Sequence, residues 1–357
     1  MGTKAGRAAP AATKPESDQT RLRRFEAIVG PGGARRADLY IAENLKILTR
    51  SQFKARSAVI EVEGKIAKAS RPLVEGERLV VSWREEPSPG LEAEDIPLEI
   101  LYEDERAIVI NKAQGMVTHP GAGNRRGTLA NAVLGRLSDS GSPVAEGMAG
   151  AESAGVGTKV QRGGIVHRLD KDTSGVIIVA KDAEAQAFLS AQFRDRTTRK
   201  EYLAVTKGIP RAGAEFAPGG WHRRESLLGR DKRDRKRFAE VDAGGRLAVT
   251  DWRILSTYGD YALVLLRPRT GRTHQLRVQL AGLGAPIAGD PIYGARNRGG
   301  EGSPDSEATL MLHAWKLGIR LPGHDEASSF VAPIPRRFPR LLHRLERRFG
   351  KTRFPRS

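Results

Sequence analysis

Residues Gly163–Asp182 read GGIVHRLDKDTSGVIIVAKD. Four side chains able to do chemistry, His167, Arg168, Asp170 and Asp172, fall within six residues there. The run Asp172-Thr173-Ser174-Gly175 is turn-forming, and the VIIVA that follows reads as a buried strand. A turn clamped by a buried strand holds a side chain still. That suits a carboxylate nucleophile or base, which must meet its target at bond-forming distance. A plainer reading is also open: Asp170, Thr173 and Ser174 can simply close a hairpin or cap a turn. Metal binding fits poorly, because no other carboxylate or histidine cluster joins Asp170 and Asp172.

Working outward, ERAIVINKAQGMVTHPG (105–121) alternates and then turns, and TLANAVLGRL (128–137) has helical spacing. The Gly/Ser/Ala-rich stretch 138–164 has no periodicity and predicts a mobile surface loop. On the other side, AEAQAFLSAQFRDR (183–196) predicts a helix and KEYLAVTKG (200–208) a strand. RLAVTDWRIL (246–255) and YALVLLRP (261–268) look like paired strands, and THQLRVQLAGLG (273–284) like a helix ended by glycine. Helices and strands mix without a regular βαβ alternation. The fold class is therefore α+β with a mixed, largely antiparallel sheet.

Residues 85–99, EEPSPGLEAEDIPLE, are acidic and proline-bearing and predict a linker. Before it, residues 21–84 predict a small domain. Its helix candidates are ADLYIAENL (37–45) and TRSQFKARSAVI (49–60), and short strands follow, separated by Glu63-Gly64 and Glu75-Gly76 turns. Residues 1–20 carry little apolar content and predict a disordered tail. The main domain is expected over 100–322 and a basic tail over 323–357. From Arg336 to Ser357 the tail holds eight arginines and Lys351 against Glu346 alone, a net +8. It reads either as a solvated helix end or as a contact for phosphate backbone.

The chain has 357 residues, 60 Lys and Arg against 42 Asp and Glu, and a formal charge of +18. The expected partner is polyanionic, with nucleic acid ahead of a membrane surface. No run approaches the roughly 18 apolar residues of a membrane span, and the first residues lack a signal-peptide core. Zero cysteines exclude disulfides, a zinc ribbon and a thiol nucleophile, and agree with a reducing compartment, so the cytoplasm is expected. FGKT at 349–352 ends like a phosphate-binding loop, but Leu345 stands where that loop needs glycine. HRLD lacks the order and companion motifs of a kinase catalytic loop.

The nine residues 167–175, His-Arg-Leu-Asp, two variable positions and Thr-Ser-Gly, resemble the signature of the RluA-type pseudouridine synthases. Other segments fall in that family's order: AIVINKAQGMVTHPG (107–121), RKEYLAV (199–205), GRDKRDRKRFAEV (229–241), GRTHQLRVQLAGLG (271–284), GDPIYG (289–294) and LHAWKL (312–317). The resemblance covers about Leu98 to Leu321. Ala113 follows Lys112 where the family usually has proline, which would only stiffen a turn. Residues 21–84, with IEVEGK at 60–65, are similar to the small alpha-L RNA-binding module of ribosomal proteins, although Arg36-Ala37-Asp38 replaces its usual Arg-Leu-Asp.

The resemblance implies a pseudouridine synthase fold and isomerisation of specific uridines in RNA, without cofactor or metal. It makes Asp170 the catalytic aspartate, attacking the nucleoside at the sugar or at the base. Tyr202 takes the family's active-site tyrosine position; its ring can stack on uracil and its phenol can exchange a proton, unless it is merely a core tyrosine of a strand. Arg277 matches the arginine that pairs with the aspartate, keeping it ionised and oriented, although an arginine on a helix is more often a solvated face. Arg168 is the candidate to hold open the stack that a flipped uridine leaves. Arg230, Lys232, Arg233 and Arg235 could clamp phosphates near the target, or could line a plain exposed hairpin. The alpha-L-like module tilts the substrate toward large-subunit ribosomal RNA, acted on by a monomer. A catalytically silent RNA-binding or ribosome-assembly factor on the same scaffold is the alternative, and a hydrolase releasing free uracil is a third reading.

Overall fold

A computed structural model of the protein describes residues 21–31, 35–45, 47–48, 52–53, 56–85, 91–121, 123–139, 161–211, 219–231, 233–234, 237–294 and 304–354. The expected tail 1–20 and most of the Gly/Ser/Ala-rich loop lie outside these residues. The chain divides into two compact units, 1–90 and 91–357.

The second unit is organised by the strand read from VIIVA. β7 (Ser174–Ala180) is buried along its whole length and pairs antiparallel with β6 (Ala107–Lys112). A strand buried on both faces needs cover on both, and here two helices supply it. α2 (Leu129–Asp139) sets Leu129, Val133 and Leu137 against Ile108, Ile110, Ile177 and Val179. α3 (Ala183–Arg194) sets Ala185 and Leu189 against Val109, Val176 and Ile178 on the opposite face. Each such side chain contributes about 1.5–3 kcal/mol on burial, so the continuous apolar run is what two-sided packing demands. The Asp182 side chain begins α3 by accepting from the Ala185 N–H at 2.8 Å.

Around this pair the sheet extends to eleven strands. β5 (Glu99–Glu103) lies at one edge beyond β6, and on the other side of β7 come β13 (Leu312–Arg320), β8 (Arg199–Lys207), β12 (Tyr261–Pro268), β11 (Arg246–Tyr258), β9 (His222–Arg230) and β10 (Phe238–Glu240). Among the described residues only the β7–β13 strand pairing is parallel; the sheet is mixed and largely antiparallel, as the sequence implied. That junction explains Gly175. It adopts φ +117°, and a Cβ there would lie 2.1 Å from the Ala314 carbonyl oxygen. α4 (Gln275–Gly282) packs Leu276 and Leu280 into the core over β8, β11 and β12.

Two boundaries differ from the sequence reading. Residues 91–99 belong to the second unit: Leu91 and Leu98 pack on the α2 core, and Glu99 opens β5. The described part of the expected tail, 323–354, is built into the domain. β14 (Ala327–Val331) pairs with β13, α5 (Arg337–Phe349) buries Phe338, Leu341 and Leu345 in the main core, and β15 (Thr352–Arg353) joins β11. Its apolar stripe outweighs the pull of its arginines toward water.

The first unit is a four-stranded sheet in the order β1 (Arg21–Ile28), β4 (Arg78–Glu85), β2 (Val59–Val62), β3 (Lys65–Ala67), all antiparallel. A helical segment covers it, α1 (Ala37–Leu39) continuing as a π-helical stretch over Tyr40–Leu45, with Ile41 fully buried. Of 49–60, Gln52 and Phe53 are helical and strand β2 begins at Val59. The β2–β3 turn takes positive φ at Glu63 and Gly64, as a two-residue hairpin turn requires.

Candidate active site

Asp170 sits on the turn that leads into β7, and that turn is tied down carbonyl by carbonyl. The Leu169 carbonyl accepts from Thr118 Oγ1 at 2.8 Å, and Asp170's own from the Thr173 N–H at 3.1 Å. The Lys171 carbonyl accepts from the Gly115 N–H at 2.9 Å and from Lys112 Nζ at 3.2 Å; that of Asp172 accepts from Gln114 Nε2 at 3.0 Å. Lys112 is fully buried and also donates to the carbonyls of Ala113 and Met116; burial lowers its pKa to about 8. The segment after β6 is thus the clamp on the Asp170 turn.

His167 is tied into the fold, although the residue also lines the cleft that Asp170 faces. Its Nε2 accepts from the Ile178 N–H at 3.1 Å, its ring stacks on Phe193 at 4.3 Å, and burial lowers its pKa to about 3. A neutral imidazole that accepts a backbone N–H is a brace between turn and strand.

Asp170 faces a cleft of about 500 Å³ whose lining includes Arg168, Tyr202, His274 and Arg277. Arg277, on α4, has a side chain only 5% exposed, and its Nη1 lies 3.4 Å from Asp170 Oδ2. The other side of the guanidinium is gripped by Asp290, with Nε and Nη2 each donating at 2.8 Å. Burial opposes the charge on Arg277, but the bonds to Asp290 and the charges of Asp290 and Asp170 outweigh it and raise its pKa. Asp290 also accepts from the Ile292 and Tyr293 N–H groups; against its burial, Arg277 holds it below the usual carboxylate range. The Tyr293 ring stacks on the guanidinium at 5.2 Å, and its hydroxyl bonds the Phe238 N–H and His274 Nδ1. One guanidinium edge is therefore fixed and the other is presented to Asp170.

Tyr202, on β8, closes the cleft wall. Burial first, and the charge of Asp170 second, raise its pKa, so it is a protonated phenol at neutral pH. Among the described residues its hydroxyl has no hydrogen-bond partner, which leaves it free for a substrate. Arg168 is exposed at the cleft.

The structure thus brings together Asp170, Tyr202, Arg277 and Arg168. Arg230 and Arg233 are exposed and lie outside the cleft lining, Arg230 stacking on Phe238 at 5.2 Å; Lys232 and Arg235 lie outside the described residues. Residue-level reading missed Asp290, Tyr293, Lys112, Gln114 and Thr118 as parts of the site. Their only signal was membership of the GDPIYG and AIVINKAQGMVTHPG segments. Among the described residues, no three His, Cys, Asp or Glu side chains cluster to hold a metal, and no helix is long and apolar enough to cross a membrane.

The cleft thus holds a buried arginine aimed at a clamped aspartate, beside an aromatic wall and an exposed basic lip. Residues 106–282 match the RNA pseudouridylate synthase family. The chain is 38% identical over 311 residues to ribosomal large subunit pseudouridine synthase D of Borreliella burgdorferi, covering 85% of this chain and 88% of that protein. It is 35% identical to the synthase of the same name from Haemophilus influenzae, covering 87% and 91%. The solved structure of human RNA pseudouridylate synthase domain containing 4 superposes with a TM-score of 0.50 at 28% identity, covering 70% of this chain and 93% of that one. The chain belongs to the RNA pseudouridine synthase family, and its activity is that of an isomerase acting on RNA.

Proposed function

We propose that the protein isomerises specific uridines of large-subunit ribosomal RNA to pseudouridine, with Asp170 as the nucleophile. The observation that carries the reading is the Asp170 carboxylate, held on a clamped turn 3.4 Å from a guanidinium that Asp290 fixes from behind. The large-subunit assignment is supported by relatives whose names specify that subunit.

Asp170 attacks the target nucleoside, at the sugar or at the base, and the bond it forms breaks again before the product leaves, which restores the free carboxylate. The bond from the sugar to nitrogen one of uracil breaks, the freed base turns over in the cleft, and a bond to carbon five forms. Carbon five gives up a proton and nitrogen one takes one up, so the composition is unchanged and no co-reactant is consumed. Tyr202 stacks on the uracil and offers its phenol for that proton exchange. Arg277 orients the attacking carboxylate. Arg168, at the mouth, holds the RNA stack open while the uridine is out of it. Residues 21–84 act as an alpha-L-type RNA-binding module, and Arg230 and Arg233 contact phosphates outside the cleft. In this reading the enzyme is a cytoplasmic monomer.

The test is to incubate the protein separately with unmodified large-subunit ribosomal RNA, small-subunit RNA and transfer RNA, map pseudouridine, and assay free uracil. New pseudouridine in large-subunit RNA without released uracil is expected. Modification confined to another RNA would overturn the substrate assignment, and released uracil would make the enzyme a hydrolase.

A further inference from the structure

The wall of the cleft opposite α4 carries cations that the isomerisation chemistry leaves unused. Helix α3 ends with an arrangement that normally calls for glycine. Asp195 donates its N–H to the Ala191 carbonyl and Thr197 donates across the end to the Gln192 carbonyl at 3.1 Å, which puts Arg196 in the left-handed position between them at φ +59°. A non-glycine residue there is strained, yet an exposed arginine occupies it and lines the Asp170 cleft. Gln192 fixes this helix end by exchanging two hydrogen bonds with the backbone of Arg320.

Lys200, two residues before Tyr202, lines the same cleft. Its pKa is lowered, first by burial and then by the positive charge of Arg196. A half-buried lysine and an exposed arginine therefore share this wall, and among the described residues neither has a carboxylate partner. The nearby acids are engaged elsewhere: Asp195 with Arg194, Glu201 with Arg267, and Asp251 with Arg223 and Arg269. Lys200, Pro268 and Arg269 also line a second groove of about 940 Å³, which continues past Arg199, Lys316 and Arg320. The cleft and the groove thus form one cationic track that passes the reacting carboxylate.

We propose that Arg196 and Lys200 form a phosphate subsite for the nucleotide adjacent to the target uridine, and that the flanking single strand continues along the groove past Arg199 and Lys316. The inference rests on RNA entering this cleft as substrate, as proposed above. A phosphodiester between the two side chains would relieve their mutual repulsion and replace the water that Lys200 has lost.

Arg196→Gly separates binding from structure, because glycine suits the left-handed position while it removes the charge. With the full chain and a large-subunit RNA fragment bearing the target, we expect a melting temperature unchanged or raised and RNA affinity about ten-fold weaker. The slope of log affinity against log salt should become shallower by about 0.7, the value for one single-strand phosphate. KM should rise with kcat nearly unchanged. Lys200→Gln should move affinity, slope and KM in the same direction, and it carries the test should Arg196→Gly fold poorly. Wild-type affinity and slope in folded variants would overturn the subsite. Should wild-type protein bind RNA yet form no pseudouridine anywhere, the function above fails while the binding arm still decides the subsite.

Discussion

The floor of the Asp170 cleft and its rim use the same cations and treat them in opposite ways. On the floor, the Arg277 side chain is 5% exposed and gripped by an Asp290 side chain that is fully buried. On the rim, Arg168 and Arg196 are exposed, and neither is joined to a carboxylate among the described residues. A buried ion pair is costly to assemble and rigid once made, which suits a group that must orient a reacting atom. An exposed, unpaired arginine contributes nothing to the fold and keeps its charge for a polyanion. In the function proposed above, the contrast separates chemistry from recognition within a single cleft.

Breaking the floor should have the largest effect. Asp290→Ala leaves the Arg277 charge buried and half-paired, with an expected stability loss of about 3–5 kcal/mol by urea denaturation and a fall in kcat beyond that of any rim variant. Tyr202→Phe keeps the stacking face and removes the phenol. If the phenol exchanges the proton, kcat falls about 10²–10⁴-fold with little change in KM; a wild-type kcat would reduce Tyr202 to a stacking wall.

The brace behind the turn gives a pH signature. His167 is neutral in the folded protein down to about pH 3, whereas it protonates near 6.5 when unfolded. The folded pKa of a base is lowered, so the unfolded state binds the proton first as pH falls. His167 therefore costs no stability above pH 6.5, and stability declines below it by about 1.4 kcal/mol per pH unit, roughly 2 kcal/mol by pH 5. His313, lowered to about 4 mainly by burial, acts in the same direction. Urea titrations at pH 7 and pH 5, with the His167 imidazole followed by NMR, check this; a ring that protonates near pH 6.5 in the folded protein would contradict it. The smallest effect belongs to the basic surface of α5. Arg340→Ala should change stability by less than about 0.5 kcal/mol and weaken RNA binding at most a few-fold at low salt.

The contrast also marks what was legible in the sequence. β7 and its turn could be read because their signals are local: an unbroken apolar run after Asp-Thr-Ser-Gly. The same window offered Asp170 as a nucleophile only beside a plain turn-closing reading, and the family resemblance chose between them; Tyr202 and Arg277 needed it too, since nothing local separates them from a core tyrosine and a solvated arginine. Asp290 was illegible because its partner is chosen by the tertiary fold, thirteen residues away across a helix and a turn. The segment 323–357 was misjudged for another reason. Its arginines dominated the reading, while Phe338, Leu341 and Leu345, at helical spacing, carried the apolar face that packs it into the core.

The most direct test of the account is to map pseudouridine in unmodified large-subunit ribosomal RNA after incubation with wild-type protein and, in parallel, with Asp170→Asn, measuring RNA affinity for both. The account predicts new pseudouridine with wild type alone and affinities within a few-fold of each other, because the carboxylate does chemistry and the rim does the binding. Isomerisation by Asp170→Asn at the wild-type rate would contradict it.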